Sequence, residues 1–128
     1  MKKMIVVLLL ISSVLLCSCV AKVESKASSK ALSVAKQAIQ VLDGYLDGTT
    51  NNKECINKLK ELNDQLDYVH GNKSQMSDEE TADWQISARI TAANHKVLMD
   101  GTNGNAATYQ EVIDARNELA KIIGEKSR

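Results

Sequence analysis

The sequence predicts an all-α protein, an up-down four-helix bundle made of two helical hairpins that follows an N-terminal signal segment. Four segments carry apolar residues at the three-four spacing of an amphipathic helix, and the alternation typical of strands is absent. The 128 residues include no Pro, no Phe, three Tyr and one Trp, a composition that suits helices with aliphatic cores. Two similar turn sequences, residues 46–52 and 99–105, each separate two of these segments. Short connections place consecutive helices side by side in opposite directions.

Residues 1–18 have the features of a signal peptide. Lys2 and Lys3 form a basic start, and residues 5–16 form an apolar run interrupted only by Ser12 and Ser13. This run is short for a helix that spans a membrane. The sequence therefore predicts secretion across the cytoplasmic membrane.

The end of this segment, Leu16-Cys17-Ser18-Cys19, resembles the bacterial lipoprotein signal, in which an aliphatic residue lies three positions before the modified Cys and a small residue directly before it. The resemblance implies that Cys19 carries lipid and anchors the protein to the cell membrane or envelope. It covers only the leader, and Cys17 departs from it because a small residue is usual there. Cleavage after Ala21 by the ordinary signal peptidase is the alternative.

Residues 19–29 are polar and predict a tether, and residues 30–128 predict the four-helix domain. The first helix is expected over residues 30–46, where two apolar rows run side by side. Small residues in these rows would let a neighbouring helix approach closely, so we expect this helix to be well buried. They are Ala31, Ala35 and Ala38.

The second helix is expected over residues 52–69. Asn51 is its predicted N-cap, with Glu54 three residues later as in a capping box. Cys55 lies in the apolar stripe and is predicted to be a buried thiol, with an intermolecular disulfide as the alternative. Gly71 marks the predicted end of the helix.

The third helix is expected over residues 78–99, after a capping box made by Ser77 and Glu80. A loop over residues 101–108 then leads to the fourth helix, which is expected over residues 109–123.

Thr108 is the predicted cap of the fourth helix and Gly124 its predicted stop. Arg116 lies at the edge of the apolar face of this helix. An ion pair with an acid on a neighbouring helix is the expected role of Arg116, and binding of an anionic ligand is the alternative.

Enzymatic and metal chemistry find little support in the sequence. His70 and His95 have no local ligand partners, so no metal site and no cofactor are predicted. Asp100 and Glu111 stand at the first and twelfth positions of a calcium-type loop, but its interior lacks the required ligands and Gly. With 16 basic and 16 acidic residues, the chain also lacks the charge excess of a nucleic-acid-binding protein. We therefore predict a non-enzymatic protein.

The third helix carries a second apolar row, about 150° from its core row when each residue advances 100°. We predict that this row binds a partner protein or a second copy of the chain. The alternative is that its Trp folds over an adjacent helix or over the loop of residues 71–76. The row consists of Trp84, Ala88, Thr91, His95 and Leu98.

These observations predict a membrane-anchored, envelope-exposed helical interaction module that binds another envelope protein or a foreign protein. Small helical lipoproteins are a recurrent form of bacterial and prophage exclusion or immunity factors, and this chain is similar to them only in its size and its predicted cellular location. The alternative function is a small-ligand carrier or sensor with a pocket between the hairpins. Few aromatic residues are present to line such a pocket, which favours the first function.

Overall fold

The computed structural model describes residues 23–66 and 76–128, and within these ranges the protein is all-helical, without strands. A helical turn over residues 23–26 precedes four longer helices. These are α1 (Ser29–Leu46), α2 (Asn52–Asp64), α3 (Asp78–Asn103) and α4 (Ala106–Ile122).

Helix α1 begins at a side-chain cap. The Ser28 hydroxyl accepts a hydrogen bond from the Ala31 amide at 3.1 Å, which satisfies one of the unpaired N–H groups of the first turn. The helix ends where Gly48 adopts a φ of +80°, a conformation that glycine accepts without a steric penalty. The predicted bounds of this helix therefore differ from the observed bounds by one residue.

Helix α2 begins as predicted but ends earlier. Asn51 is its N-cap, and the Asn51 side chain accepts from the Glu54 amide at 2.8 Å. The helix stops at Asp64, whereas we predicted that it would continue to Val69. Val69, His70 and Gly71 lie outside the described residues.

Helix α3 is longer than predicted. Ser77 caps it by accepting from the Glu80 amide at 3.1 Å, as expected. The helix continues four residues beyond the predicted end at Met99 and stops at Gly104, whose φ is +57°. Gly101 is therefore a helical residue, and the prediction that it lies in a loop was wrong.

Helix α4 begins three residues before its predicted start. Asn105 is the N-cap, and Thr108 is the third helical residue, so the cap predicted at Thr108 was wrong. The two side chains still form a capping box, because each one bonds the backbone N–H of the other. Gly124 follows the last turn with a φ of +75°.

The helices share one core of aliphatic side chains, in which α1 packs against the other three helices. Small residues on α1 are fully buried, as predicted, and allow the neighbouring helices to come close. The fully buried large side chains come from all four helices and include Val34, Leu42, Leu59, Ile86, Ile90, Val97, Val112 and Leu119.

Residues 23–28 pack against the helices, although we predicted that they belong to a tether. Val23 is buried in the core. The Lys26 ammonium lies 2.6 Å from the Asp78 carboxylate, and Ser28 donates two hydrogen bonds to Asp83. The part of the chain that the structure describes contains no helix long and apolar enough to cross a bilayer.

Candidate interaction surface

The predicted partner-binding row lies on the outer side of α3, away from its buried face. Leu98 is 50% exposed, and Thr91 and His95 are also exposed. Trp84 and Ala88 are half-buried, so exposure increases along the row toward the end of the helix. Cys19, the predicted lipidation site, lies outside the described residues.

One asparagine on α2 fixes how α3 is rotated. The Asn63 amide accepts a hydrogen bond from the Ser87 hydroxyl at 2.8 Å and donates one to the Thr91 hydroxyl at 3.0 Å. Further along the contact between α2 and α3, Asn94 donates to the backbone carbonyl of Ile56. These bonds place Thr91 at the border between the row and α2.

The outer side of α3 carries no charged residue over most of its length. From Trp84 to Asn103 the only Asp, Glu, Lys or Arg residues are Arg89, Lys96 and Asp100.

All three of these charged side chains face inward or toward α4. Arg89 pairs with Glu118 at 2.7 Å, and Lys96 pairs with Glu111 at 3.1 Å. Asp100 is 9% exposed. Because solvent-facing helix surfaces are normally charged, while the cores of protein interfaces are depleted of charge, this surface has the composition of an interface.

Met99 extends this surface and was missed by the sequence prediction. It is 36% exposed, next to Leu98. Met99 does not belong to the four-three row, because it lies 100° further around the helix than Leu98. We use the term outer face of α3 for the row together with this addition: Trp84, Ala88, Thr91, His95, Leu98 and Met99.

A polar cluster lies inside the end of the molecule where α1 and α3 finish. The Asp100 carboxylate accepts from the Tyr45 hydroxyl at 2.5 Å and from the Thr108 hydroxyl at 2.7 Å. Burial, and then the hydrogen bond to Asp100, raises the pKa of Tyr45. The Asn52 amide donates to Tyr45 and to the Val97 carbonyl. Every group has a partner, so this cluster joins helices and offers no free binding group.

Arg116 forms the interhelical ion pair that the sequence predicted. Its guanidinium makes two hydrogen bonds with the Asp43 carboxylate on α1, at 2.9 and 3.1 Å, and a third with the Lys126 carbonyl at 2.6 Å. Arg128 also pairs with Asp43 and with Asp47, and the bond to Asp47 lowers the pKa of that carboxyl. With its donors engaged inside the chain, Arg116 is poorly placed to bind an anionic ligand.

A polar groove of about 530 Å³ lies between α1 and α2. It is inside the first hairpin, whereas the predicted pocket lay between the two hairpins. Its lining is dominated by amide, hydroxyl and charged groups and includes Gln37, Gln40, Val41, Gly44, Thr49, Thr50, Lys58, Glu61, Leu62 and Gln65.

Cys55 is buried, as predicted, and burial raises the pKa of its thiol to about 11. Among residues 23–66 and 76–128, no cluster of three His, Cys, Asp or Glu side chains is arranged to hold a metal ion.

Comparisons with protein-family models, with curated proteins and with solved structures found no match for this chain.

Proposed function

We propose that this protein is a non-enzymatic interaction module, held at the outer side of the bacterial membrane by lipid on Cys19, which binds another protein through the outer face of α3. The observation that carries the proposal is a long, largely exposed helix surface that has apolar side chains and no charge.

We also propose that the four helices form an up-down bundle of two hairpins. Ser28 bonds to Asp83 near the start of α3, and Tyr45 bonds to Asp100 near its end, which supports parallel directions for α1 and α3. The Arg89–Glu118 and Lys96–Glu111 pairs support opposite directions for α3 and α4. In such a bundle each helix buries one face and exposes the other.

The energetic case for binding rests on exposed apolar area. An isolated exposed Leu is ordinary, but Leu98, Met99 and Ala88 share one uncharged helix side. Covering such a surface removes apolar area from water without separating any ion from its solvent or its partner. A charged face such as that of α2, with six charged residues in 13, would not offer this advantage.

The proposal is tested by photocrosslinking in intact cells. A photoreactive phenylalanine analogue replaces Leu98 in the full-length chain, and adducts of the protein are identified by mass. We expect a discrete protein adduct that disappears when His95→Asp is added, because the substitution puts a charge into the contact surface.

The matched control carries the same analogue at Gln85. This residue is exposed on the same helix but lies about 140° around it from Leu98. The proposal fails if neither position gives a discrete adduct or if both give the same adducts in the same amounts.

A second function, small-ligand binding, is supported by the groove between α1 and α2. Its amide and hydroxyl groups supply both donors and acceptors, as a neutral polyhydroxylated ligand such as a sugar requires. The test is a thermal-shift titration with neutral mono- and oligosaccharides, comparing the native chain with Gln40→Leu. A saturable stabilisation that the variant lacks would support this function, and no stabilisation by any sugar would reject it.

A further inference from the structure

We infer that the protein bound to the outer face of α3 is a second copy of this chain on the same membrane, with the two α3 helices packed in parallel about a two-fold axis. The inference rests on the proposed function, because it names the partner of that same surface.

The first argument is the spacing of the row. Its five residues advance by four, three, four and three positions, and Thr102 continues the series with a further step of four. This is the heptad spacing at which one helix packs along another. The six positions cover about 27 Å of α3 at 1.5 Å per residue.

The second argument is orientation. Lys26 pairs with Asp78 and Ser28 bonds to Asp83, so α3 starts at the end of the domain where the chain enters it. Val23, already part of the core, is four residues after Cys19, a distance of at most about 14 Å along an extended chain. Two copies with lipid on Cys19 therefore present α3 in the same direction and at the same height above the membrane.

The third argument is the charge pattern. In a parallel two-fold pair each residue meets its own copy, so any charge on the seam would face a like charge. From Trp84 onward, the row and the positions nearest to it on either side carry no Asp, Glu, Lys or Arg. These nearest positions are Ser87, Ala92, Asn94 and Met99. A partner recognised by opposite charge would instead require charged residues on this face.

Confinement to a membrane makes a small contact area between the two α3 helices sufficient for pairing. Free molecules lose translational and rotational freedom when they associate, and this loss opposes binding. Two anchored, similarly oriented copies have already lost part of that freedom, which raises their effective concentration.

The test is disulfide trapping of the full-length protein in intact membranes. Leu98→Cys is the reporter, and Gln110→Cys, at an exposed position on α4, is the matched control. Cys55 does not interfere, because its thiol is buried. Under mild oxidation we expect a disulfide-linked dimer for position 98 and only collisional crosslinking for position 110.

Charge substitution at His95 then tests the symmetry. In the Leu98→Cys chain, His95→Lys or His95→Glu alone should lower crosslinking at least about tenfold, because each charge meets its own copy. Membranes that contain both variants should regain crosslinking between the unlike copies.

Four results would overturn the inference. Crosslinking at position 98 no stronger than at position 110 would exclude contact between two α3 helices. Failure of the mixed variants to regain crosslinking would exclude the two-fold symmetry of that contact. Crosslinking of an Ala88→Cys copy with a Leu98→Cys copy, in preference to like pairs, would show antiparallel packing. A photoadduct of position 98 with a different protein, without pairing of copies, would overturn the dimer and leave the proposed function standing.

Discussion

At the scale of single residues, Gly101 is required by a close contact between two helices. A Cβ atom at this position would lie 2.5 Å from the side-chain amide of Asn52, a distance that real Cβ atoms do not adopt. Asn52 is held there because it donates to the Val97 carbonyl at 2.7 Å and to the Tyr45 hydroxyl. The glycine therefore allows the start of α2 to approach the end of α3.

The first prediction concerns Gly101→Ala. In an exposed helix this change stabilises by about 1 kcal/mol. Here it must displace Asn52 from two hydrogen bonds worth about 1 kcal/mol each, so we expect a net loss of about 1 kcal/mol in the free energy of unfolding. Urea denaturation of the two proteins measures the difference.

The control is the same substitution in an Asn52→Ala background. Once the amide is gone, Gly101→Ala should stabilise the protein, so the sign of the effect reverses. A destabilisation of equal size in both backgrounds would mean that Asn52 is not the cause.

The second prediction concerns Cys55. Burial raises the pKa of its thiol from 9.0 to about 11, so above pH 9 the folded chain keeps a proton that the unfolded chain releases. Its contribution to stability is complete below about pH 9 and is lost progressively as the pH rises toward 11. Unfolding titrations of the native protein and of Cys55→Ala should therefore differ in slope over this range.

Thiol labelling provides an independent check on Cys55. A buried thiol with a raised pKa reacts slowly, so labelling at about pH 8 should be slow until denaturant is added. Rapid labelling of the folded protein, or equal pH slopes for the two proteins, would contradict the buried placement.

At the scale of helices, two kinds of ion pair join neighbouring elements and are expected to differ in strength. Arg89–Glu118 and Lys96–Glu111 lie on the surface between α3 and α4, with half-exposed side chains. The Arg116 side chain is only 10% exposed where it meets Asp43 of α1. Water screens the two surface pairs. Loss of Asp43, in contrast, would leave the Arg116 guanidinium unpaired at a position with little access to solvent.

The third prediction compares these pairs. Asp43→Ala should lower the free energy of unfolding by about 2 kcal/mol, because it removes two charge-assisted hydrogen bonds from a guanidinium with little access to water. Glu118→Ala should lower it by less than about 1 kcal/mol. Equal effects in urea titrations would show that Arg116 is solvated well enough to lose its partner without a large penalty.

At the scale of the whole molecule, the contacts of Ser28 with Asp83 and of Tyr45 with Asp100 support an arrangement in which the chain enters at the end where α3 begins and the turns after α1 and α3 lie at the other end. With lipid on Cys19, as proposed, the short stretch between Cys19 and Val23 would hold this domain close to a membrane surface. The outer face of α3 would then run away from the membrane, with its most exposed residues, Leu98 and Met99, farthest from it.

The fourth prediction tests the anchor. Two or more acyl chains give stable attachment, so the native protein should sediment with membranes and enter the detergent phase. Cys19→Ala should move it to the soluble fraction. A native protein that is already soluble, with an N-terminus at Lys22 by mass spectrometry, would establish cleavage after Ala21 instead.

The sequence by itself determined the helical class, the starts of α2 and α3, the start of α1 to within one residue, and most of the core. These features follow from local patterns, because a cap such as Ser77 bonds to an amide three residues away, and apolar spacing shows which side of a helix is buried. The second row on α3 was also found from spacing alone. Its partner remains a prediction.

Only the tertiary structure decided where α3 ends, where α4 begins and which part of the row is exposed. Gly101 and Gly104 both resemble turn residues in the sequence, but Gly101 lies within α3, where it packs against Asn52, and Gly104 ends the helix with a φ of +57°. Asn63, more than 20 residues away along the chain, bonds Ser87 and Thr91 and so sets the rotation of the outer face. Such contacts join residues that are distant in the chain, so no local pattern of residue types encodes them.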